Sequence, residues 1–387
     1  LATDFLKLDE ELTAQERAIR NLFRKFVDEE VIPHIGEWWV EGIFPQGLIK
    51  NLAQLGALGA PLPKKYGGQE LGAVAYGLML QELERGDSGV RSAASVQTSL
   101  VMYPIFRYGS EAQREFYLPK MAKGELIGCF GLTEPEAGSD PGSMKTTCEW
   151  TGADWILRGS KMWITNASLA DVSVVWARDL KDNDIKGFLV EKGTPGHRPF
   201  EVKGKLSLRA SDTSGFYLDD ARVDEAHRLP EGNGLRAPLS CLTEARYGIA
   251  WGAIGAATAC YEEALTYAKT RIQFHKPIAS FQLIQNYLVE MLTEITKAQW
   301  VAYRVGRLKE QKKHDFAVVS FIKRNNVRMA LRCARTARAI LGATGITNEY
   351  ASMRHSANLE SVYTYEGTHE IHTLILGREI TGLSAFE

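Results

Sequence analysis

The 387-residue chain is poor in several things that would have pointed to a particular class. It has only five cysteines, Cys129, Cys148, Cys241, Cys260 and Cys333, and none stands in a C-x-x-C pair. An odd, scattered set argues against a disulfide framework and a thiolate metal site, and suits a reducing compartment. Neither sign of charge dominates: 46 Lys plus Arg stand against 47 Asp plus Glu, a net charge of -1. A sequence-independent nucleic-acid binder needs a basic excess or stripe, so nucleic acid is not an expected partner. No apolar run reaches the roughly 18 residues of a membrane span. The nearest, residues 248–261, is rich in Gly and Ala, runs into Glu262 and Glu263, and reads as a packed core helix. Walker A, H-E-x-x-H and G-x-S-x-G signatures are all missing, as are internal repeats and low-complexity tracts. His369 and His372 lie one helical turn apart but are too few for a metal site, so no metal is expected.

The first nine residues lack the charged, then apolar, then small plan of a signal peptide. With Leu1 in place of an initiator Met, the chain reads as trimmed or processed. The expected location is the cytoplasm for a prokaryotic chain, or the mitochondrial matrix for a processed eukaryotic one.

What is present is the composition of an ordinary globular protein, 45% hydrophobic and 24% charged. The length suggests two or three domains. Periodicity changes twice. Thr13 and Glu16 form a capping box, after which Ile19, Leu22, Phe23, Phe26 and Val27 line one helical face as far as Pro33. Further helices are expected over residues 48–58, 74–85 and 92–108. Between about residues 128 and 234, short β-branched and aromatic runs recur at 154–157, 162–165, 172–177, 187–190 and 215–218, the spacing of a β sandwich or barrel. Long helical patterns return at 244–269, 281–310 and 317–341. The expected division is an all-α domain at 1–127, a β domain at 128–235 and a helical domain at 236–387.

Three segments carry chemistry. Residues 129–140, Cys-Phe-Gly-Leu-Thr-Glu-Pro-Glu-Ala-Gly-Ser-Asp, offer backbone and hydroxyl donors to a polar ring edge or a pyrophosphate, or else form a plain turn. In Lys161-Met162-Trp163-Ile164-Thr165-Asn166, Trp163 and Thr165 alternate onto one strand face, giving either a flat cofactor platform or a buried aromatic pair. In Tyr363-Thr364-Tyr365-Glu366-Gly367-Thr368-His369-Glu370, Glu366 stands among aromatics. Burial would raise its pKa towards neutrality and make it a usable base. The competing reading is a helix N-terminal acid held by the dipole.

Together and in this order, the segments resemble the acyl-CoA dehydrogenase family over essentially the whole chain. Residues 84–92, Glu-Arg-Gly-Asp-Ser-Gly-Val-Arg-Ser, with Leu206-Ser207-Leu208-Arg209-Ala210-Ser211, Ala245-Arg246-Tyr247-Gly248-Ile249-Ala250-Trp251 and Thr364-Tyr365-Glu366-Gly367-Thr368-His369, point to its glutaryl-CoA branch. The resemblance implies a mainly α fold: a helical N-terminal domain, a β-barrel middle domain and a C-terminal four-helix bundle. It implies FAD, completed by a neighbouring subunit of a homotetramer, and an electron-transferring flavoprotein as acceptor. Phe130, Leu132, Thr133, Gly138 and Ser139, with Trp163, Ile164 and Thr165, would line the isoalloxazine and pyrophosphate. Arg271, Phe274, Gln282, Ala339, Gly342 and Ala343 would hold the adenosine half, and Thr368 and Glu370 would close the site.

For the acyl-CoA substrate the resemblance implies Ser139, Leu239, Thr243, Glu244, Arg246, Tyr365 and Gly367, with Glu366 as base at the α-carbon. The Glu366 N–H and a ribityl hydroxyl would hold the thioester oxygen. Arg91 would meet a terminal carboxylate, with Glu84 orienting it and Ser92 adding a hydroxyl. Alternatively, Glu84 and Arg91, seven apart on one helix face, make a structural ion pair. The implied reaction is dehydrogenation of glutaryl-CoA with decarboxylation to crotonyl-CoA and CO2. Oxidation of another dicarboxylic or substituted acyl-CoA without decarboxylation is the alternative, and a non-catalytic CoA-binding scaffold is disfavoured by Glu366 and the flavin-lining set. The chain departs from the family pattern at Phe274-His275, where Phe-Gly is usual, and at Gly342-Ala343-Thr344-Gly345, where Gly-Gly-x-Gly is usual. Both lie where adenosine is expected to dock, which predicts altered cofactor affinity. Gly86 and Val90 also depart from the commonest residues beside the Arg, which predicts a reshaped pocket.

Overall fold

The computed structural model describes residues 2–385. Thr13 opens the first long helix as its spacing predicts. The Glu16 N–H donates to Thr13 Oγ1 (3.2 Å) and the Thr13 N–H to Glu16 Oε2 (2.8 Å). After a short turn, α1 (Leu8–Glu11), this helix, α2 (Ala14–Phe26), passes through a widened π turn into α3 (Ile32–Glu41). Pro33 therefore does not end the helix: the π turn removes the i→i−4 bond that a proline could not make. Phe23, Phe26 and Val27 are buried, but Leu22 is 41% exposed and lies off the packed face. The segment expected at 48–58 is shorter, α4 (Gly47–Gln54). Next come α5 (Ala73–Gly86), α6 (Ser88–Ser95), α7 (Tyr103–Tyr108) and α8 (Glu111–Ala122). Between α5 and α6 the chain breaks at Asp87, which is fully extended and caps α6 by accepting the Gly89 N–H at 2.7 Å.

The middle segment is a sheet of eight strands: β1 (Gly128–Gly131), β2 (Thr147–Trp150), β3 (Asp154–Thr165), β4 (Val172–Asp179), β5 (Ile185–Glu191), β6 (His197–Glu201), β7 (Thr213–Asp224) and β8 (Arg228–Asn233). Pairing runs β6-β7-β3-β2-β4-β5-β8, with β1 parallel to β4. Two of the expected runs, 154–157 and 162–165, are one strand interrupted by bulges. β4 is apolar on both faces because both are covered. Val174 and Trp176 join the core beneath α7 and the start of the next helix, while Val175 and Ala177 join a separate core inside the sheet domain.

The C-terminal segment consists of α9 (Arg236–Thr270), a two-stranded ribbon of β9 (Ile272–Gln273) and β10 (Lys276–Pro277), then α10 (Gln282–Glu310), α11 (Phe316–Ile340), α12 (Ala351–Thr364) and α13 (His369–Thr381). No helix among the described residues is long and apolar enough to cross a membrane. The Gly- and Ala-rich stretch lies within α9, where it packs on α5 so closely that a Cβ at Gly255 would sit 1.8 Å from the Gln81 carbonyl oxygen. One apolar core consequently joins the N-terminal helices to the C-terminal ones.

Candidate active site

Glu366 is not a helix N-terminal acid. It lies in the turn between α12 and α13, and α13 is instead capped by Thr368, whose hydroxyl accepts the Ile371 N–H at 3.2 Å. Glu366 and Gly367 both adopt left-handed backbone, with φ of 53° and 91°. Such a conformation costs a non-glycine residue about 1–3 kcal/mol and persists only where the surroundings impose it. Here they do. Arg246 Nε of α9 donates to the Glu366 carbonyl (2.7 Å), and Lys323 Nζ of α11 donates to the carbonyls of Tyr365 (3.0 Å) and Gly367 (2.7 Å). Gly367 is required as well, since a Cβ there would lie 3.0 Å from His372 Nε2 and 3.2 Å from Arg246 Nη2.

The turn leaves Glu366 chemically unspent. Its Oε2 is buried with no hydrogen-bond partner, and no acceptor takes its backbone N–H among the described residues. Burial pushes its pKa up, against the opposing pull of Arg91, Arg246 and Lys323. Burial also draws the Lys323 ammonium down to about 7, and the His372 imidazole to about 2, so that ring is neutral. Glu244, the other acid expected nearby, is bound by Lys309 Nζ at 2.6 Å.

Glu84 and Arg91 do meet, though not along one helix. The pair bridges the break at Asp87: Arg91 Nε donates to Glu84 Oε2 at 2.7 Å, and the Ser88 hydroxyl donates to Glu84 Oε1 at 2.9 Å. Both side chains are buried, 1% and 0% exposed. Gly252 of α9 makes room for them, since a Cβ there would fall 2.0 Å from Glu84 Oε2. Arg91 Nη2 donates to the Tyr365 hydroxyl, beside which stands the Ser92 hydroxyl, while Nη1 finds no acceptor among the described residues. The structure thus gathers Glu84, Arg91, Ser92, Arg246, Tyr365, Glu366 and Gly367 into one cluster, the first four buried and the last three half-buried. Gly86 and Val90 stand outside it: a Cβ on Gly86 would meet Val27 and Val31, and Val90 is buried in the helical core. Leu239, Thr243 and Glu244 share the first turns of α9, half-buried, with the Thr243 hydroxyl bound back to the Leu239 carbonyl at 3.1 Å.

At the sheet, Phe130 and Leu132 are buried, Thr133 is half-buried, and Gly138 and Ser139 are exposed. Trp163 does not alternate with Thr165 as a regular strand would require. A register shift between Lys161 and Ile164 turns it out at φ 63°, 57% exposed, while Ile164 is buried. The indole is held on the surface by a bulge and is not half of a buried aromatic pair. Arg271, Phe274, Gln282, Ala339, Gly342, Ala343 and Glu370 are all exposed, Phe274 to 84%. Phe274 and His275 close the β9–β10 ribbon with φ of 51° and 64°, a turn that favours Gly at its second position.

Three anchors escaped the sequence reading. Lys323 is one. A second is Lys161, 0% exposed, which donates to Glu134 Oε1 (2.7 Å) and the Leu132 carbonyl (3.1 Å), while Glu134 accepts the N–H groups of Lys145 and Thr146. This pair ties the loop after β1 to β3. The third is Asp87, which receives Asn358 Nδ2 at 2.8 Å and fixes the helix break against α12. The only advance signal was a Lys on an apolar stripe: Lys323 falls in step with Val319, Asn326 and Ala330.

Comparison with known proteins gives these residues a common frame. The chain matches the family models of the acyl-CoA dehydrogenase N-terminal domain over residues 13–125, middle domain over 129–221 and C-terminal domain over 232–381. It is 35% identical to an acyl-CoA dehydrogenase of Bacillus subtilis over 96% of this chain and 99% of the relative. It is similar to a crystal structure of glutaryl-CoA dehydrogenase from Mycobacterium smegmatis at 51% identity and a TM-score of 0.97, covering 100% of this chain and 99% of that one. A second glutaryl-CoA dehydrogenase structure from that organism, in complex with FADH2, is 48% identical with a TM-score of 0.96, over 98% and 97% of the two chains. With all three domain models matched in order along a chain that superposes end to end, the protein belongs to the acyl-CoA dehydrogenase family.

Proposed function

We propose that this chain is an FAD-dependent glutaryl-CoA dehydrogenase that oxidises the α,β carbon–carbon bond and releases CO2 to leave crotonyl-CoA. One observation carries the reading: Glu366, half-buried with a buried and unpartnered Oε2, shares a turn with Tyr365, which binds a buried arginine that makes no hydrogen bond through Nη1 among the described residues. The first group suits a base, the second a distal carboxylate.

The residues present fit the cofactor. Trp163, turned out on its bulge, offers a flat apolar face to a planar ring system. The loop after β1 reaches this strand where the Thr133 carbonyl accepts the Met162 N–H at 2.9 Å, so that Phe130, Leu132, Thr133, Gly138 and Ser139 would line the ring and pyrophosphate with Trp163, Ile164 and Thr165. When bound, FAD supplies the acceptor for the hydride leaving the substrate β-carbon. The rest falls to the chain. Glu366 takes the α-proton, its raised pKa making it a stronger base than an exposed carboxylate. Its free N–H is a donor for the thioester oxygen as negative charge grows there. Arg91 binds the far carboxylate, because a lone carboxylate could not enter a dry pocket. In the resulting glutaconyl thioester, the electron pair of the departing C–CO2 bond passes into the conjugated thioester, and protonated Glu366 returns its proton to the γ-carbon.

The proposal extends to a homotetramer, to an electron-transferring flavoprotein as acceptor, and to the domain division at residues 127 and 235. A second reading is oxidation of another dicarboxylic thioester without loss of CO2. The Glu84 carboxylate on Arg91 Nε supports it, because a guanidinium left with only Nη1 unbonded would hold a carboxylate less completely than an open fork. Anaerobic flavin bleaching with a panel of acyl-CoAs, followed by product mass, separates the two. Glutaryl-CoA should bleach the flavin fastest and yield crotonyl-CoA. An unsaturated dicarboxylic product would favour the second reading.

A further inference from the structure

We propose that Lys323 is a positioning residue for the dehydrogenation, clamping the two carbonyls that flank Glu366 and so aiming its carboxylate at the substrate. The proposal rests on Glu366 acting as the base. Arg246 and Lys323 together gather three consecutive carbonyls, of Tyr365, Glu366 and Gly367, within 2.7–3.0 Å of their donors. With the peptide oxygens held by cations, the turn is forced into its two left-handed residues and Glu366 is fixed with a free Oε2.

Lys323 is 1% exposed and forms no ion pair with a carboxylate among the described residues. A buried ammonium is costly, and an apolar side chain of equal length would fill the same space on α11 at less cost. What the ammonium provides there is the clamp. The charged groups facing Glu366 come from every packed element: Arg91 of α6, Arg246 of α9 and Lys323 of α11. Neutral His372 of α13 stands against Gly367. Removing one of three cations raises the pKa of the base as well as loosening the turn.

The test uses the FAD-loaded enzyme, glutaryl-CoA and anaerobic stopped-flow reduction across pH, with Glu366→Gln as control. Lys323→Met should keep the flavin and the glutaryl-CoA dissociation constant, yet slow reduction about tenfold or more. Its acid limb should move up by about one pH unit, a shift a packing defect would not produce. Lys323→Arg should recover part of the rate. A Met variant that reduces its flavin at the wild-type rate with an unmoved limb overturns the proposal. Should the Met variant fail to hold flavin, Lys323→Arg decides alone: a loaded variant with most of the wild-type rate supports the clamp, and a loaded but slow one overturns it. Undiminished reduction by Glu366→Gln would instead sink the base assignment itself.

Discussion

Substituting Arg91 by Met removes two things at once, and their sizes differ. In the free enzyme it strands Glu84, fully buried, with only the Ser88 hydroxyl left as partner. Breaking a buried pair from one side costs about 3–5 kcal/mol of stability. On substrate binding it also strands the distal carboxylate, at about 2–5 kcal/mol. At 1.4 kcal/mol per tenfold, the second term lowers kcat/KM for glutaryl-CoA by about thirtyfold to a few thousandfold. The two are separated by the double variant Glu84→Gln/Arg91→Met, which buries no unpaired charge. It should melt closer to wild type than Arg91→Met but remain as poor with glutaryl-CoA. Hexanoyl-CoA, neutral at its far end, should be affected far less by either. The informative assay is the ratio of kcat/KM for the two thioesters, because folding and flavin defects cancel in it. A ratio equal to wild type in the double variant would show that Arg91 serves only Glu84, and the dicarboxylate reading would fall.

His275→Gly should relieve the left-handed backbone of the β9–β10 turn, raising stability by about 1 kcal/mol. It should also change FAD affinity on titration of the apoprotein, while the reduction rate stays unaltered; slowed hydride transfer at unchanged affinity would show that this turn does not serve the adenosine half. His355 is 0% exposed with neither ring nitrogen partnered, and burial lowers its pKa to about 3. The unfolded chain then binds the extra proton below about 6.5 and the folded one does not, so stability falls as pH drops from about 6.5 towards 3. The His355→Gln variant should show a shallower fall of melting temperature over that interval, and an equal slope would remove His355 as its source.

The helical ends and the sheeted middle were readable because each long helix keeps one apolar stripe, and the Thr13–Glu16 box fixes a start by two local bonds. Failures fell where non-local contacts outweigh local pattern. Leu22 fits the helical period but is left 41% exposed, and Pro33 is accommodated by a π turn that no propensity announces. Glu84 and Arg91 are spaced for one helix, yet Asp87 is a better N-cap than a helix interior residue, and the pair bridges the break instead. Glu366 was legible from its Tyr-Glu-Gly setting. The groups that hold it were not, since Arg246 and Lys323 are 120 and 43 residues away and meet it only through packing of α9 and α11. Trp163 was singled out, but its exposure depends on a bulge set by pairing with β7.

The central claim is that Glu366 is the base, and anaerobic stopped-flow of the flavin with glutaryl-CoA tests it most directly. The Glu366→Gln enzyme should bind flavin and substrate, because the carboxylate takes no structural bond through Oε2. Its flavin reduction should be slower by at least about a hundredfold, the lower range for a positioned acid–base group. Reduction at a near wild-type rate would contradict the account and move the proton-taking role to another group.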